Sequence, residues 1–178
     1  MVIIMNEKEI KLNVVERLVR ANLQHYNEKK YWNRRHKVVT AKWGGWHLLG
    51  KILNAYRLLY IKRCDAFNNA SMGTHLGYGA QFGTPPKLPH GLYGIIVSHN
   101  AVIGSNCTIF HQVTIGEGKG GAPVIGDNVF IGAGAKIIGN VRIGSNSRIG
   151  VNAVVVHDVP ENSIVTAQEA MVHTGRHD

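Results

Sequence analysis

A chain of 178 residues, 44% hydrophobic and 17% charged, is long enough for one domain with an appendage and too apolar to be a disordered polymer. It has no run of eighteen apolar residues to cross a membrane, its apolar start "MVIIMNEKEIK" has no cleavage-site pattern, and two cysteines make no disulfide framework, so a cytoplasmic setting is expected. The net charge of +9 is uneven: residues 1–63 carry 14 Lys/Arg against 4 Asp/Glu, and residues 64–178 carry 6 against 7.

Residues 1–66 read as a basic helical region. "KEIKLNVVERLVRANLQHYNEKKYW" sets Ile10, Val14, Leu18 and Leu23 near helical spacing, and "RRHKVVTAKWGG" reads as a basic connection. "WHLLGKILNAYRLLYIKRCDAF" follows, with Leu49, Ile52, Leu53, Tyr56, Leu59 and Tyr60 on one face and Lys51, Arg57, Lys62 and Arg63 at its margins. Such a helix packs on a partner or lies in a membrane interface. The basic front therefore admits two readings, a solvated oligomerisation segment or a surface drawn to an anionic membrane or acidic polymer, with peripheral membrane contact under the second.

Residues 67–166 change period, and 167–178 are left as a tail. Aliphatic residues fall at 97, 103, 109 and 115, then at 125, 131, 137, 143, 149 and 155: steps of six, with one of ten. Four residues after each aliphatic (Ile115, before the long step, apart) stands a smaller or aliphatic residue, from Ala101 and Cys107 through to Val159. A corner residue stands three after it: Asn100, Asn106, Gln112, Asn128, Gly134, Asn140, Asn146, Asn152 or Asp158. Short extended stretches joined by left-handed corners, three to a turn, predict a triangular prism with the aliphatics inside. Leu76, Phe82 and Leu88 suggest one earlier turn, and Cys107 falls inside as core. His99 and His157 fall on outward positions.

The motifs "H-G-x-x-G-I-I-V", "V-T-I-G-x-G-K" and "I-G-A-G-A-K-I-I-G" make residues 68–165 resemble the hexapeptide-repeat acyltransferases of the left-handed parallel β-helix fold. The resemblance is to the serine acetyltransferase branch, and closest to O-acetyltransferases of capsule or surface polysaccharides. It implies a mainly β enzyme with acetyl-CoA as co-substrate and no metal. The histidine before the "G-I-I-V" strand, His90, becomes the general base that takes a proton from the acceptor hydroxyl, chemistry suited to an imidazole near neutral pH. His111 is implied in substrate contact or in support of His90. "GEGKGGAP", the insertion inside the ten-residue step, implies cofactor contacts from Gly116, Gly118 and Lys119, and Ala133 and Val151 match positions where the cofactor arm passes. Homotrimers with the site between chains are implied, with room for trimers to pair through the helical region; no nucleic-acid partner is.

The sequence departs from the serine enzymes at three places. Pro89 stands where they keep an Asp, Gly121-Ala122 where they keep Arg-His, and "TAQEAMV" where they close the repeat with "G-V-P-A-K". Loss of groups that pair a charged amino acid argues for a less charged alcohol. The expected function is thus acetyl transfer from acetyl-CoA to a saccharide hydroxyl. A serine O-acetyltransferase, a non-catalytic β-helix scaffold and a zinc enzyme of the γ-carbonic anhydrase kind are the alternatives. Asp65, Asn68 and Asn69 are the candidates for orienting His90.

Overall fold

The structure is a computed structural model, and it describes residues 25–41 and 48–168. The predicted helical stretch before residue 25, and the tail from residue 169, lie outside the described residues.

Two helices precede the strands. Helix α1 (Glu28–Val39) starts at Asn27, whose side chain accepts from the Lys30 backbone N–H at 3.0 Å, an N-cap with Glu28 in the first turn. It runs through Arg34–Val39, so the expected basic connection is helical over its first half. The cause is burial: Arg35 and Val38 face inward and extend the buried face of Tyr31 and Trp32. Helix α2 (Leu48–Phe67) turns Asn54, Ile61, Cys64 and Asp65 inward. Of the apolar stripe read from the sequence, Leu49, Ile52, Leu53, Tyr56 and Leu59 are exposed on the outer side of the helix, and Tyr60 is half-buried against the core.

The remaining chain is a parallel β-helix with three faces. The first face stacks β1 (Ser71–Met72), β5 (Ile96–Val97), β8 (Thr114–Gly116), β11 (Lys136–Ile138) and β14 (Val154–Val155). The second stacks β4 (Gln81–Phe82), β6 (Val102–Ile103), β9 (Val124–Ile125) and β12 (Arg142–Ile143). The third stacks β7 (Thr108–Ile109), β10 (Phe130–Ile131), β13 (Arg148–Ile149) and β15 (Ile164–Val165). All pairing within these faces is parallel and in register, so Ile109, Ile131 and Ile149 lie one above another. All ten aliphatics of the six-residue rhythm are buried, as are the smaller residues four places on. Cys107 is among them, its thiol directed at the Gly126 carbonyl 3.2 Å away and its pKa pushed up by burial.

The corners differ. At the second corner, between second and third faces, Asn106, Asn128, Asn146 and Asn162 all have positive φ. Their amides form a ladder, Asn128 Nδ2 to Asn146 Oδ1 at 3.1 Å and Asn146 Nδ2 to Asn162 Oδ1 at 3.2 Å. The third corner, from third face back to first, uses Asn69, Gly94, Gln112, Gly134 and Asn152, again with positive φ. The first corner breaks the expectation, for Asn100, Asn140 and Asp158 are not left-handed. There Gly139 takes the positive φ, and Asp158 instead accepts the Arg142 N–H at 2.8 Å.

Met72, not Leu76, fills the first-face position of the earliest turn. Leu76 sits in an antiparallel hairpin of β2 (Thr74–His75) and β3 (Tyr78–Gly79), inserted at the first corner. Phe82 and Leu88 pack against the core as expected.

The helices cap this first turn. Arg35 is buried and reaches into it, donating from Nε to Thr74 Oγ1 at 3.0 Å and from Nη2 to the Met72 and Ala80 carbonyls. Burial lowers its pKa to about 10. The Tyr31 hydroxyl donates to Asp65 Oδ1 at 2.6 Å. Burial raises the Asp65 carboxyl to about 6, against the lowering pull of Tyr31, Lys62 and Arg35.

Candidate active site

His90 follows the end of the first turn and is exposed where the chain crosses from the third face to β5. His111 belongs to the corner after β7. The prism brings the two together, with His90 Nδ1 2.6 Å from His111 Nδ1 and the rings tilted by 33°. A bond between two Nδ1 atoms requires unlike tautomers: one ring carries its proton on Nδ1 and the other, if neutral, on Nε2. The ring that donates Nδ1–H keeps a basic Nε2. Phe110 meets His90 edge-on at 5.5 Å and continues to Phe130 at 5.2 Å, over which Arg148 lies at 4.4 Å. This outward row on the third face supports one side of the pair.

Ala133 and Val151 join the same corner. The Gly134 N–H donates to the His111 carbonyl and the Asn152 N–H to the Ala133 carbonyl, so His111, Ala133 and Val151 form a column on successive turns. Tyr93 heads it, its carbonyl accepting the Gln112 N–H at 3.0 Å. A side chain at position 134 would collide with Asn152, and φ there is +72°, so glycine keeps the column tight. Beside it opens a polar pocket of about 360 Å³, lined by Asn69, Tyr93, Gln112, Lys136 and Asn152 with Gly94 and Gly134. Lys136 Nζ donates to the Gln112 carbonyl at 2.7 Å.

Gly116, Gly118 and Lys119 lie elsewhere. Gly118 and Gly121 exchange backbone hydrogen bonds of 3.0 and 3.2 Å, so the insertion is a tight hairpin with exposed Lys119 at its turn. It projects from the first corner, at the far end of β8 from His111 and Gln112. A Cβ on Gly118 would stand 3.0 Å from Gly139 Cα, so the hairpin lies directly against the next turn. Within one chain the predicted cofactor residues are therefore divided between two corners.

Of the candidates for orienting His90, Asp65 is committed to Tyr31 in the cap. The Asn68 carbonyl accepts the Gly94 N–H at 2.9 Å, and Asn69 lines the pocket. His99 is exposed and meets His75 and Tyr78 edge-on at 5.3 and 5.8 Å, at the first corner. His157 is also exposed. Sequence reasoning missed Tyr93, Lys136 and the Phe110–Phe130–Arg148 row. Their one signal is an outward position beside an inward aliphatic, which every surface residue of the prism shares. Among the described residues, no group of three or more His, Cys, Asp or Glu side chains is placed to hold a metal ion.

A three-faced prism of six-residue steps is the fold of hexapeptide-repeat transferases, and residues 122–157 match the family model for the bacterial transferase hexapeptide (six repeats). The particular resemblance is to serine acetyltransferases. That of Mycobacterium tuberculosis (strain ATCC 25618 / H37Rv) is 37% identical over 139 residues, covering 75% of this chain and 59% of that protein. The solved soybean serine acetyltransferase complexed with serine superposes with a TM-score of 0.64 and 27% identity, over 92% of this chain and 63% of that one. Serine acetyltransferase in complex with coenzyme A from Brucella abortus strain S19 gives a TM-score of 0.59 and 25% identity, over 80% and 52%. The chain thus spans about three fifths of the length of the curated relatives it matches. These relatives favour the serine branch of the resemblance over the capsule enzymes expected above.

Proposed function

We propose that this chain is an acetyl-CoA-dependent O-acetyltransferase with His90 as general base and His111 as its positioning partner. The observation that carries the reading is the Nδ1–Nδ1 bond of the pair at the head of the Ala133–Val151 column. For His90 to act as the base through Nε2, it must donate its Nδ1–H to His111. Nε2 then takes the proton of the acceptor hydroxyl while that oxygen attacks the thioester carbonyl of acetyl-CoA. The tetrahedral intermediate breaks its C–S bond, the acetyl ester remains on the acceptor, and the departing thiolate recovers the proton from His90. As His90 becomes an imidazolium, its bond to His111 becomes charge-assisted and strengthens. That gain arises at the reacting stage rather than on binding, so it favours turnover.

The co-substrate arm runs past Ala133 and Val151. Gly116, Gly118 and Lys119 reach it from a neighbouring copy in a homotrimer, which accounts for their place at another corner. Serine is the acceptor that the named relatives support. A saccharide hydroxyl is the second reading, resting on Pro89 and on Gly121-Ala122, which supply no charge to hold an amino acid.

The test is thiol release from acetyl-CoA by the purified chain with L-serine and with a panel of sugars. Release with serine is expected, and His90→Ala should lower kcat/KM by about 10³-fold with an unchanged circular dichroism spectrum. Release with sugars alone would replace serine by a saccharide. A folded chain that releases no thiol with any hydroxyl would return it to the scaffold alternative.

A further inference from the structure

Helix α2 leaves an apolar face uncovered among the described residues. Leu48, Leu49, Ile52, Tyr56 and Leu59 follow one another at helical spacing on the side away from Asn54, Ile61 and Asp65, and each is between 57% and 79% exposed. A helix apolar on both sides ordinarily has something on both sides.

The rim of this face is basic. Lys51 and Lys62 are exposed along one side. Along the other, α1 sets Lys30 4.9 Å from the centre of the Tyr60 ring and Arg34 4.3 Å from it, with Arg34 also 5.3 Å from that of Tyr56. Arg63 is exposed toward the end of the band. The described acids of the two helices are Glu28 and the buried Asp65.

We propose that this face of α2, with its basic rim, docks on an anionic lipid bilayer, the helix lying in the plane of the interface. An apolar centre with cations on both flanks and tyrosines at the margin matches the layering of acyl chain, headgroup and anionic charge. The charge argues against a second copy as occupant, because self-pairing would set the two cationic rims against each other with Glu28 as the one exposed acid among the described residues of the two helices. No described helix is long and apolar enough to cross the bilayer, so the contact is lateral. The proposal is independent of acetyl transfer.

The test is co-sedimentation of the full chain with mixed phosphatidylglycerol–phosphatidylcholine vesicles and with pure phosphatidylcholine vesicles. Pelleting with the anionic vesicles is expected, about tenfold weaker with the neutral ones. The double variant Leu49→Glu/Leu59→Glu, which alters only exposed positions, should lose pelleting while keeping the native circular dichroism melt. A native chain that stays in the supernatant with anionic vesicles would overturn the proposal. So would a double variant that pellets like the native chain, since basic charge alone would then suffice for any acidic polymer. A double variant of smaller assembly mass by light scattering would also overturn it, because a second copy would then be the occupant.

Discussion

Along the third face Ile109, Ile131 and Ile149 repeat one arrangement three times, each buried and each followed four residues later by a smaller buried residue. In the two-helix cap, by contrast, the polar contacts occur once. Tyr31 meets Asp65, and a single side chain, Arg35, donates to Thr74 and to the carbonyls of Met72 and Ala80. The prism distributes its stability over equivalent turns, whereas the cap concentrates it in a few buried polar side chains. Repetition gives redundancy, and single polar contacts give points at which one substitution releases a whole element.

Four substitutions probe this contrast. Arg35→Met should cost most, about 5 kcal/mol, because it strands buried oxygens of the first turn. Hydrogen exchange should then show α1 unprotected while β10 and β13 keep their protection; equal loss in both regions would break the contrast. Ile131→Ala should cost about 4 kcal/mol in denaturant melts, through the cavity it leaves between two turns. Asp65→Asn should change the pH dependence. Because the folded carboxyl titrates near 6, above its ordinary 3.8, its stabilising contribution is full below the ordinary value and is lost as pH rises through about 6. The variant should abolish that slope and at neutral pH exceed the native chain by up to about 3 kcal/mol in urea melts. Asn128→Ala should cost least, about 1 kcal/mol, for a left-handed residue at φ +57°, with Asn128→Gly closer to native. Equal losses in the two variants would assign the effect to the amide ladder instead of the backbone.

The same contrast governs how much could be read before the structure. A period of six states which residues point inward, and Val97 through Val155 do so. It also places His111, Ala133 and Val151 at equivalent corner positions, so that their column is implicit in the spacing. The meeting of His90 with His111 is not, because His90 precedes the rhythm and its ring position depends on the path of the connecting loop. Leu76 fits the rhythm at six residues before Phe82 yet lies outside the first-face stack, because the hairpin at the first corner carries it. In the cap, helical spacing identifies an apolar stripe but not which side faces the protein. Asn54 and Asp65 turn inward there, against their polarity: Tyr31 donates to Asp65 from the facing helix, whereas among the described residues Asn54 Oδ1 is met only from its own helix, by Arg57 Nη1 at 2.7 Å, and its Nδ2 is buried without a hydrogen-bond partner.

The first corner has a consequence for how such a chain can change. Met72 to Phe82 and Ile115 to Ile125 are both ten-residue steps, and both put their extra residues at this corner. The second-face strands beyond remain in step, Gln81 opposite Val102 and Val102 opposite Val124. Loop length here is uncoupled from the pitch of the solenoid, which the two left-handed corners set. The first corner is therefore a port for accretion. A peptide grafted between Gly118 and Gly121 would extend outward and leave every strand above and below it paired as before.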